Sequence, residues 1–415
     1  MTIFNIFQTL VGFLGLIAIA IPFSENRKII NYKYLFYGIL AQLILALIFI
    51  KLPQSTNFFE YLAQAVTVLQ DGTEKGAKFL FEYAGFDTGD SPTLLYTFAF
   101  GILPYIIVMS CVSAIFWYWG VLPFIVNIFS KVCQRLFNIG GPIGLGAAAN
   151  VFVGQVEAPL LIRPYLSKLS KKELLILMTA GMATVAGSVM IALITVLENK
   201  FIGINLIQHF ITASILSIPA AIMYANILIP SNEVTDFSGE ETPRVYKNTM
   251  DAITRGTSDG TSIAISVGAI LIAFIALVYF ANSFLGMVSG WIGYPVSIEM
   301  ILGYIFAPIA WLMGIPWGEA IIAGELLGIK TTLNEFVAYY SLSALEEGAL
   351  SDRSRLITLY GLCGFANFSS VGILVSGISA MAPERKTDLI EVSFKALIGA
   401  TLASCMTGLV VGCFI

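Results

Sequence analysis

Asn150, Gln155 and Glu157 fall within one short stretch, Ala147–Pro159 (AAANVFVGQVEAP), set between long apolar runs. A second stretch, IKTTLNEF, carries Asn334 and Glu335, and a third, FANFSS, carries Asn367 and Ser370. Together they supply amide donors and acceptors, carboxylates and hydroxyls, with no thiolate nucleophile, no histidine base and no aspartate cluster for Mg²⁺. Such a set suits reversible hydrogen bonding of a neutral polyhydroxylated or heterocyclic solute. Leaving a buried polar group unpaired costs about 1–3 kcal/mol, which makes the pattern selective. The competing reading pairs Glu157 with Arg163 and Glu335 with Lys330 as buried ion pairs. Glu319 and Glu325 fit either a structural role or the positioning of the second stretch. An enzyme acting on a lipid or nucleotide head group would need a metal or nucleophile cluster that the sequence lacks.

The surroundings explain why these side chains stand out. The 415 residues are 57% hydrophobic and 12% charged, with a mean hydropathy of +0.86, so the chain is a polytopic membrane protein. In hydrocarbon an ionisable side chain costs a few kcal/mol or more unless paired or facing a cavity, and it reads as functional by default. Nucleic acid is excluded as a partner by the lack of any basic, aromatic-interleaved face. The five cysteines lie in or beside apolar runs without metal-ligand spacing and read as packing residues. The single histidine, His209, reads as a core or interfacial residue in preference to a proton relay. GPIGLG at Gly141–Gly146 follows no strand and has no Lys or Ser/Thr in place, so it is no phosphate loop. The first apolar stretch has no positive n-region or small-residue cleavage site and is expected to remain as a helix.

Runs long enough to cross a membrane, at about 20 residues each, fall at 4–23, 34–52, 94–119, 173–197, 204–230, 262–285, 356–382 and 393–415. Residues 55–90 mix aromatic and charged positions and suit an interfacial helix. Two regions, 139–169 and 300–345, hold Gly, Pro and carboxylates where a spanning helix would want Leu and Ile. Irregular backbone at that depth survives only buried in protein or lining a cavity, so each is expected to be a re-entrant hairpin. The expected fold is all-α: eight transmembrane helices, two re-entrant hairpins in inverted repeats, and an interfacial helix. With both termini outside, 15 of the 22 Lys and Arg face the cytoplasm, as the positive-inside rule favours. The polar, acid-rich loop Pro230–Arg255 is then cytoplasmic.

The repeat is visible in the residues. TAGMATVAGSVM (Thr179–Met190) aligns with LCGFANFSSVGI (Leu362–Ile373), matching Gly181 to Gly364, Ala183 to Ala366 and Thr184 to Asn367. Each follows a broken region and opens on a Ser-led start, SKKE at Ser170 and SDRS at Ser351, the first of them a capping-box pattern. An odd number of crossings separates the copies, which inverts one relative to the other and brings both hairpin tips to the midplane. Four units follow: 1–138 with the N-terminal helices, interfacial helix and a scaffold span; 139–230 with the first hairpin repeat; 231–299 with the cytoplasmic loop and a scaffold span; 300–415 with the second hairpin repeat.

The strings ANVFVGQVEAP, GIPWGEA, GELLGIKT, NEFVAY and CGFANFSS resemble the concentrative nucleoside transporter family, close to its bacterial sodium-coupled members, over nearly the whole chain. The resemblance implies a homotrimer in the lipid of a bacterial cytoplasmic (inner) membrane. It also implies an elevator-like movement of the hairpin-bearing domain past a scaffold that includes spans three and six. Substrates would be nucleosides such as uridine, cytidine and adenosine, and the coupling ion Na⁺, with proton coupling as the alternative. Carried over by position, Gln155, Val156, Glu157 and Val189 belong at the nucleobase. Glu335, Asn367 and Ser370 belong at the ribose, with Phe365 beside them. Asn150 and Thr184 match sodium ligands, completed by the backbone carbonyls of Val153 and Val185. Thr184 replaces a Ser and keeps the hydroxyl, whereas Val156 stands where close relatives carry Thr or Ser, so a hydroxyl near the base is missing and base preference is expected to shift.

Overall fold

The structure is a computed structural model that describes residues 3–81, 98–198, 200–231, 233, 235, 245–292 and 296–415. Among the described residues the regular elements are all helical. In chain order they are α1 (Ile3–Ala20), α2 (Tyr32–Ala46), α3 (Pro53–Phe81), α4 (Leu103–Tyr118), α5 (Val121–Phe137), α6 (Gly141–Ala149), α7 (Glu157–Leu161), α8 (Lys171–Ala183) and α9 (Gly187–Leu197). There follow α10 (Leu206–Leu228), α11 (Thr249–Ile292), α12 (Ile298–Leu312), α13 (Trp317–Thr332), α14 (Glu335–Ala344), α15 (Asp352–Leu362), α16 (Phe368–Met381) and α17 (Lys386–Gly412).

Local chemistry sets the boundaries. Ser170 and Glu173 form the reciprocal capping box that opens α8, and Ser351 accepts from Ser354 N–H to open α15. Asn side chains start α2, α10, α14 and α16, each satisfying an amide that the first helical turn leaves unpaired. Between α4 and α5, Gly120 takes a φ of +82° and the chain bends by 75°.

Three helices form the inner wall. In α8 every residue from Lys172 to Ala183 is buried, and α10 and the C-terminal half of α17 are buried almost all round. A helix apolar on every side belongs inside a larger body. α4 and α11 form a second unit. A Cβ on Gly260 would stand 2.7 Å from Ile107 Cα, and one on Gly256 2.9 Å from Cys111 Cα, so small residues let the two backbones touch. The 44 residues of α11 span about 66 Å at ~1.5 Å per residue, more than a whole bilayer. Its far half presents Ile272, Ile275, Leu277, Tyr279, Phe280 and Phe284 outward, a surface that hydrocarbon or another apolar surface can cover.

Several sequence expectations change in detail. The runs 173–197 and 356–382 are each two helices, α8/α9 and α15/α16, interrupted at Thr184–Ala186 and Cys363–Asn367. The region 300–345 is three helices instead of one hairpin. α12 and α13 fold against each other at 117°, and the turn that brings Glu335 inward lies at Leu333–Asn334. Ser351, just after α14, donates to Glu319 near the start of α13 at 2.9 Å. The pair α13/α14 therefore enters and leaves on one side, and it is the re-entrant hairpin of this half. α11 begins at Thr249, well before position 262. The amphipathic α5 was not expected at all. Its stripe Leu122, Val126, Ser130, Cys133 and Phe137 is buried. Residues 82–97, with the ends of the interfacial segment and of the third run, lie outside the described residues, as do Asp236, Glu240, Glu241 and Arg244 of the connecting loop.

The interrupted helices touch where they break. Phe365 N–H donates to Thr184 O at 3.3 Å. Gly364 has a φ of +149°, and a Cβ there would lie 2.9 Å from Met182 O. Both the backbone conformation and the space exclude a side chain, at a cost of about 1–3 kcal/mol. Gly364→Ala is therefore expected to lower the melting temperature of the detergent-solubilised protein by a few degrees. Gly372→Ala, with nothing within 4 Å of the added methyl, is expected not to lower it. Equal melting curves for Gly364→Ala and the parent would mean that the two breaks do not pack in this way.

Candidate functional site

Each hairpin tip lies against the inner wall. In the first, Gly146 leaves room for Ile162, so the chain returns beside α6 after the tip. The tip, 150–156, leans on the break between α8 and α9. Gly187 N–H donates to Phe152 O at 3.3 Å, and a Cβ on Gly181 would be 3.3 Å from Gln155 Cβ and 3.4 Å from Asn150 Oδ1. In the second, Asn334 caps α14 by accepting from Val337 N–H at 2.9 Å. That cap holds Glu335 at the first position of the helix, buried.

Between the tips is a cavity of about 580 Å³. All eight residues expected at a substrate line it: Gln155, Val156, Glu157, Val189, Glu335, Phe365, Asn367 and Ser370. One side is a tight polar chain. Asn367 Nδ2 donates to Glu335 Oε2 at 2.9 Å, and Asn367 Oδ1 accepts from Ser370 N–H at 2.8 Å and from Ser369 Oγ at 2.7 Å. One asparagine thus starts α16 and orients a carboxylate on α14. On the other side Glu157 Oε2 accepts from Gly154 N–H. Gln155 Oε1 is buried with no hydrogen-bond partner. Val156 packs where Gly377 leaves space, 2.8 Å from an ideal Cβ, so the position of the missing hydroxyl is filled by an apolar contact.

The ion-pair reading of the glutamates is not what the structure shows. Glu335 bonds to Asn367, while Lys330 Nζ, fully buried, donates to Gly361 O at 3.0 Å in the last turn of α15. The carbonyl end of a helix is the negative end of its dipole, where an ammonium is stabilising. Glu157 folds back on its own tip instead of reaching Arg163. His209 is a packing residue, with Nδ1 2.8 Å from Tyr360 Oη and the two rings edge to face. Glu319 holds Ser351, and Glu325 packs beside Gly303 of α12.

The expected cation ligands lie at the first break. Asn150 and Thr184 are each 1% exposed. Asn150 Nδ2 donates to Gly146 O at 2.9 Å, and its Oδ1 has no partner. Thr184 Oγ1 donates to Ala180 O at 3.1 Å, which leaves its lone pairs available. Val185 is held through Ser214, whose Oγ accepts from Val185 N–H at 3.4 Å and donates to Val185 O at 3.5 Å. Val153 follows in the tip, its N–H donating to Ala149 O at 2.9 Å. An orphaned buried amide oxygen set against Gly181, three residues before the Thr184 hydroxyl on the same helix end, suits a hard monovalent cation.

Four polar residues of the cavity were missed from sequence: Asp259, Ser262 and Ser266 of α11, and Ser369 of α16. For the first two the signal was the polar run TSDGTS at Thr257–Ser262, most of which fell between the loop expected to end at Arg255 and the span expected to begin at 262.

Models of the Na⁺ dependent nucleoside transporter match at the N-terminus over residues 11–84 and at the C-terminus over 209–412, and a nucleoside recognition "gate" model matches 99–200. An uncharacterized transporter of Bacillus subtilis, YutK, is 35% identical over 417 residues, covering 99% of this chain and all of the relative. The nucleoside permease NupC of Helicobacter pylori is 34% identical over 420 residues, covering 100% and 99%. Among solved structures, CNTnw in an inward-facing substrate-bound state superposes with a TM-score of 0.89 at 33% identity, over 99% of this chain and 98% of that one. A substituted CNTnw in an outward-facing state gives 0.90 at the same identity, over 99% of each chain.

Lys330 offers a test of how the second break is held. Lys330→Met would leave Gly361 O unpaired, at a cost of about 1–3 kcal/mol, and remove a buried ammonium that acts on Glu335. The variant is expected to melt well below the parent in detergent, and Lys330→Met with Glu335→Gln to recover part of the difference. Parent-like melting of the single variant would overturn the assignment.

Proposed function

The chain belongs to the Na⁺ dependent nucleoside transporter family, and on that premise we propose that it is a sodium-coupled symporter importing nucleosides across a bacterial cytoplasmic membrane. It is a membrane transporter and not an enzyme. The observation that carries the finer reading is the cavity itself. One chamber is lined by both hairpins and both interrupted helices, with polar side chains sized for a nucleoside and the unpaired Asn150 Oδ1 behind the first tip.

The residues divide the work. Glu335, Asn367 and Ser370 bind the ribose hydroxyls, with Phe365 as an apolar wall. Gln155, Glu157, Val156 and Val189 surround the base. Na⁺ is held by Asn150 Oδ1, Thr184 Oγ1 and the carbonyls of Val153 and Val185. Because Asn150 and Val153 lie in the same tip as Gln155 and Glu157, fixing the first pair fixes the second, so cation and nucleoside bind cooperatively through one short segment. The units 139–230 and 300–415 carry the site, and they slide as an elevator against a scaffold built on α4 and α11 from units 1–138 and 231–299. Assembly as a homotrimer follows from the family resemblance, and the outward apolar face of α11 is available to it.

The energetics are adequate for concentration. One Na⁺ moving down a tenfold gradient releases ~1.4 kcal/mol, and its charge crossing 100 mV another ~2.3 kcal/mol. Together they sustain an accumulation of about 500-fold.

Purified protein in proteoliposomes is expected to accumulate labelled uridine under an inward Na⁺ gradient. Asn150→Ala is expected to lose that uptake at ordinary sodium concentration. Uptake that follows an inward proton gradient and ignores Na⁺ would leave nucleoside transport standing and remove the roles given to Asn150 and Thr184.

A further inference from the structure

Asp259 stands apart from the residues already given a role. It lies on α11, outside both hairpin repeats, yet it lines the main cavity opposite the first tip. It also lines an adjoining cavity of about 230 Å³, bounded by Phe152, Val153, Tyr246 and Arg255, and Glu157 lines both chambers as well. The two carboxylates therefore flank the junction between the chambers. Arg255, one helical turn before Asp259, is committed elsewhere: its Nε is 2.9 Å from Asp251 Oδ1. Asp251 is itself held by Lys247 N–H at 2.9 Å. Among the described residues Asp259 makes no ion pair, and it is exposed to the space it faces.

Acceptors predominate at this end of the chamber. It offers the Asp259 and Glu157 carboxylates and the unpartnered Gln155 Oε1, against the hydroxyls of Ser262 and Ser266 further along α11, which donate as well as accept. Val156 brings no hydroxyl that could donate. On this tip the Gln155 amide NH₂ is free to donate into the chamber, since Asn150 Nδ2 is already bonded to Gly146 O. A solute seated here is favoured when it brings N–H groups and disfavoured when it brings a carbonyl oxygen. Cytosine and adenine rings carry an exocyclic amino group with an acceptor ring nitrogen beside it, where uracil and hypoxanthine carry a keto oxygen with a ring N–H beside it, and the members of each pair have nearly the same shape.

We propose that Asp259 is a specificity-determining residue that selects nucleosides with an amino-bearing base over their keto counterparts, its carboxylate accepting the exocyclic N–H. This rests on the reading of the cavity as a nucleoside site. An amino group gains a charge-assisted hydrogen bond at Asp259, whereas in the same seat a keto oxygen meets a second acceptor, and the base must shift from that seat before its ring N–H reaches the carboxylate. Asp259 is exposed to the chamber, so the hydrogen bond lost when a seated solute displaces its water supports a preference of roughly five- to tenfold. An asparagine at this position could donate as well as accept, so it would satisfy either base.

The test uses the full chain in proteoliposomes, comparing cytidine with uridine and adenosine with inosine, in the parent and in Asp259→Asn. The parent is expected to favour the amino member of each pair. In Asp259→Asn both ratios are expected to fall about fivefold or more towards unity, with uridine and inosine uptake kept or raised. Because Asp259 is exposed and makes no ion pair, the variant is expected to melt like the parent. Unchanged ratios in Asp259→Asn, or equal loss of all four substrates, would overturn the proposal. Failure of the parent to accumulate any nucleoside would instead overturn the transport reading.

Discussion

Helices that stop in the middle of a bilayer leave backbone groups that no water can satisfy, and the rest of this structure answers that constraint. The end of α15 shows how. Leu359 O accepts from Tyr339 Oη at 2.9 Å, Gly361 O from Lys330 Nζ, and Cys363 O from Ser404 Oγ at 3.2 Å. Three side chains from three other helices close one helix end. The restart at α16 is closed by Asn367, which at the same time orients Glu335. The polar side chains at the site are thus first of all the partners of interrupted backbone.

The two halves answer the same constraint differently. Lys330 neutralises the carbonyl end of α15 with a charge that belongs to the chain. At the end of α8 the tethered groups are neutral: Thr184 Oγ1 turns back to Ala180 O, and Phe365 N–H meets Thr184 O. Asn150 Oδ1 faces this region with nothing bonded to it. Two inverted helix ends with equal dipoles therefore differ in one respect, a fixed ammonium at one and none at the other. That difference supports assigning a soluble cation to the first repeat alone.

Much of this was legible in the sequence because membrane burial makes polar residues conspicuous. Gln155, Glu157, Glu335, Asn367 and Ser370 stood out against apolar surroundings, and they meet at one cavity. The interruptions of 173–197 and 356–382 were not legible, because the breaks at Thr184–Ala186 and Cys363–Asn367 are made of small residues that an apolar helix also tolerates. What stops these helices is tertiary: the close approach at Gly364 and the cap at Asn367. The region 300–345 misled for a related reason, since Gly314 and Pro316 mark one turn while the turn that matters, at Leu333–Asn334, carries neither Gly nor Pro. Asp259 was passed over because α11 runs beyond the bilayer, and a polar first part of a long helix looks like a loop when spans are counted by hydropathy.

The cavity is also divided by how well its polar groups are paired before any solute arrives. Glu335, Asn367, Ser369 Oγ and Ser370 N–H are bonded to one another, so a solute docking there exchanges existing hydrogen bonds for new ones and gains little in the exchange. Gln155 Oε1 has no such partner, and among the described residues Asp259 makes no ion pair as it faces the chamber. Each new hydrogen bond at that side replaces nothing within the protein. The Glu335–Asn367 side is therefore built for fixed geometry, and the Gln155–Asp259 side is where differences between solutes become differences in affinity. Selectivity belongs on the second side, because a group already satisfied can reject a misfit but has little to offer a better fit.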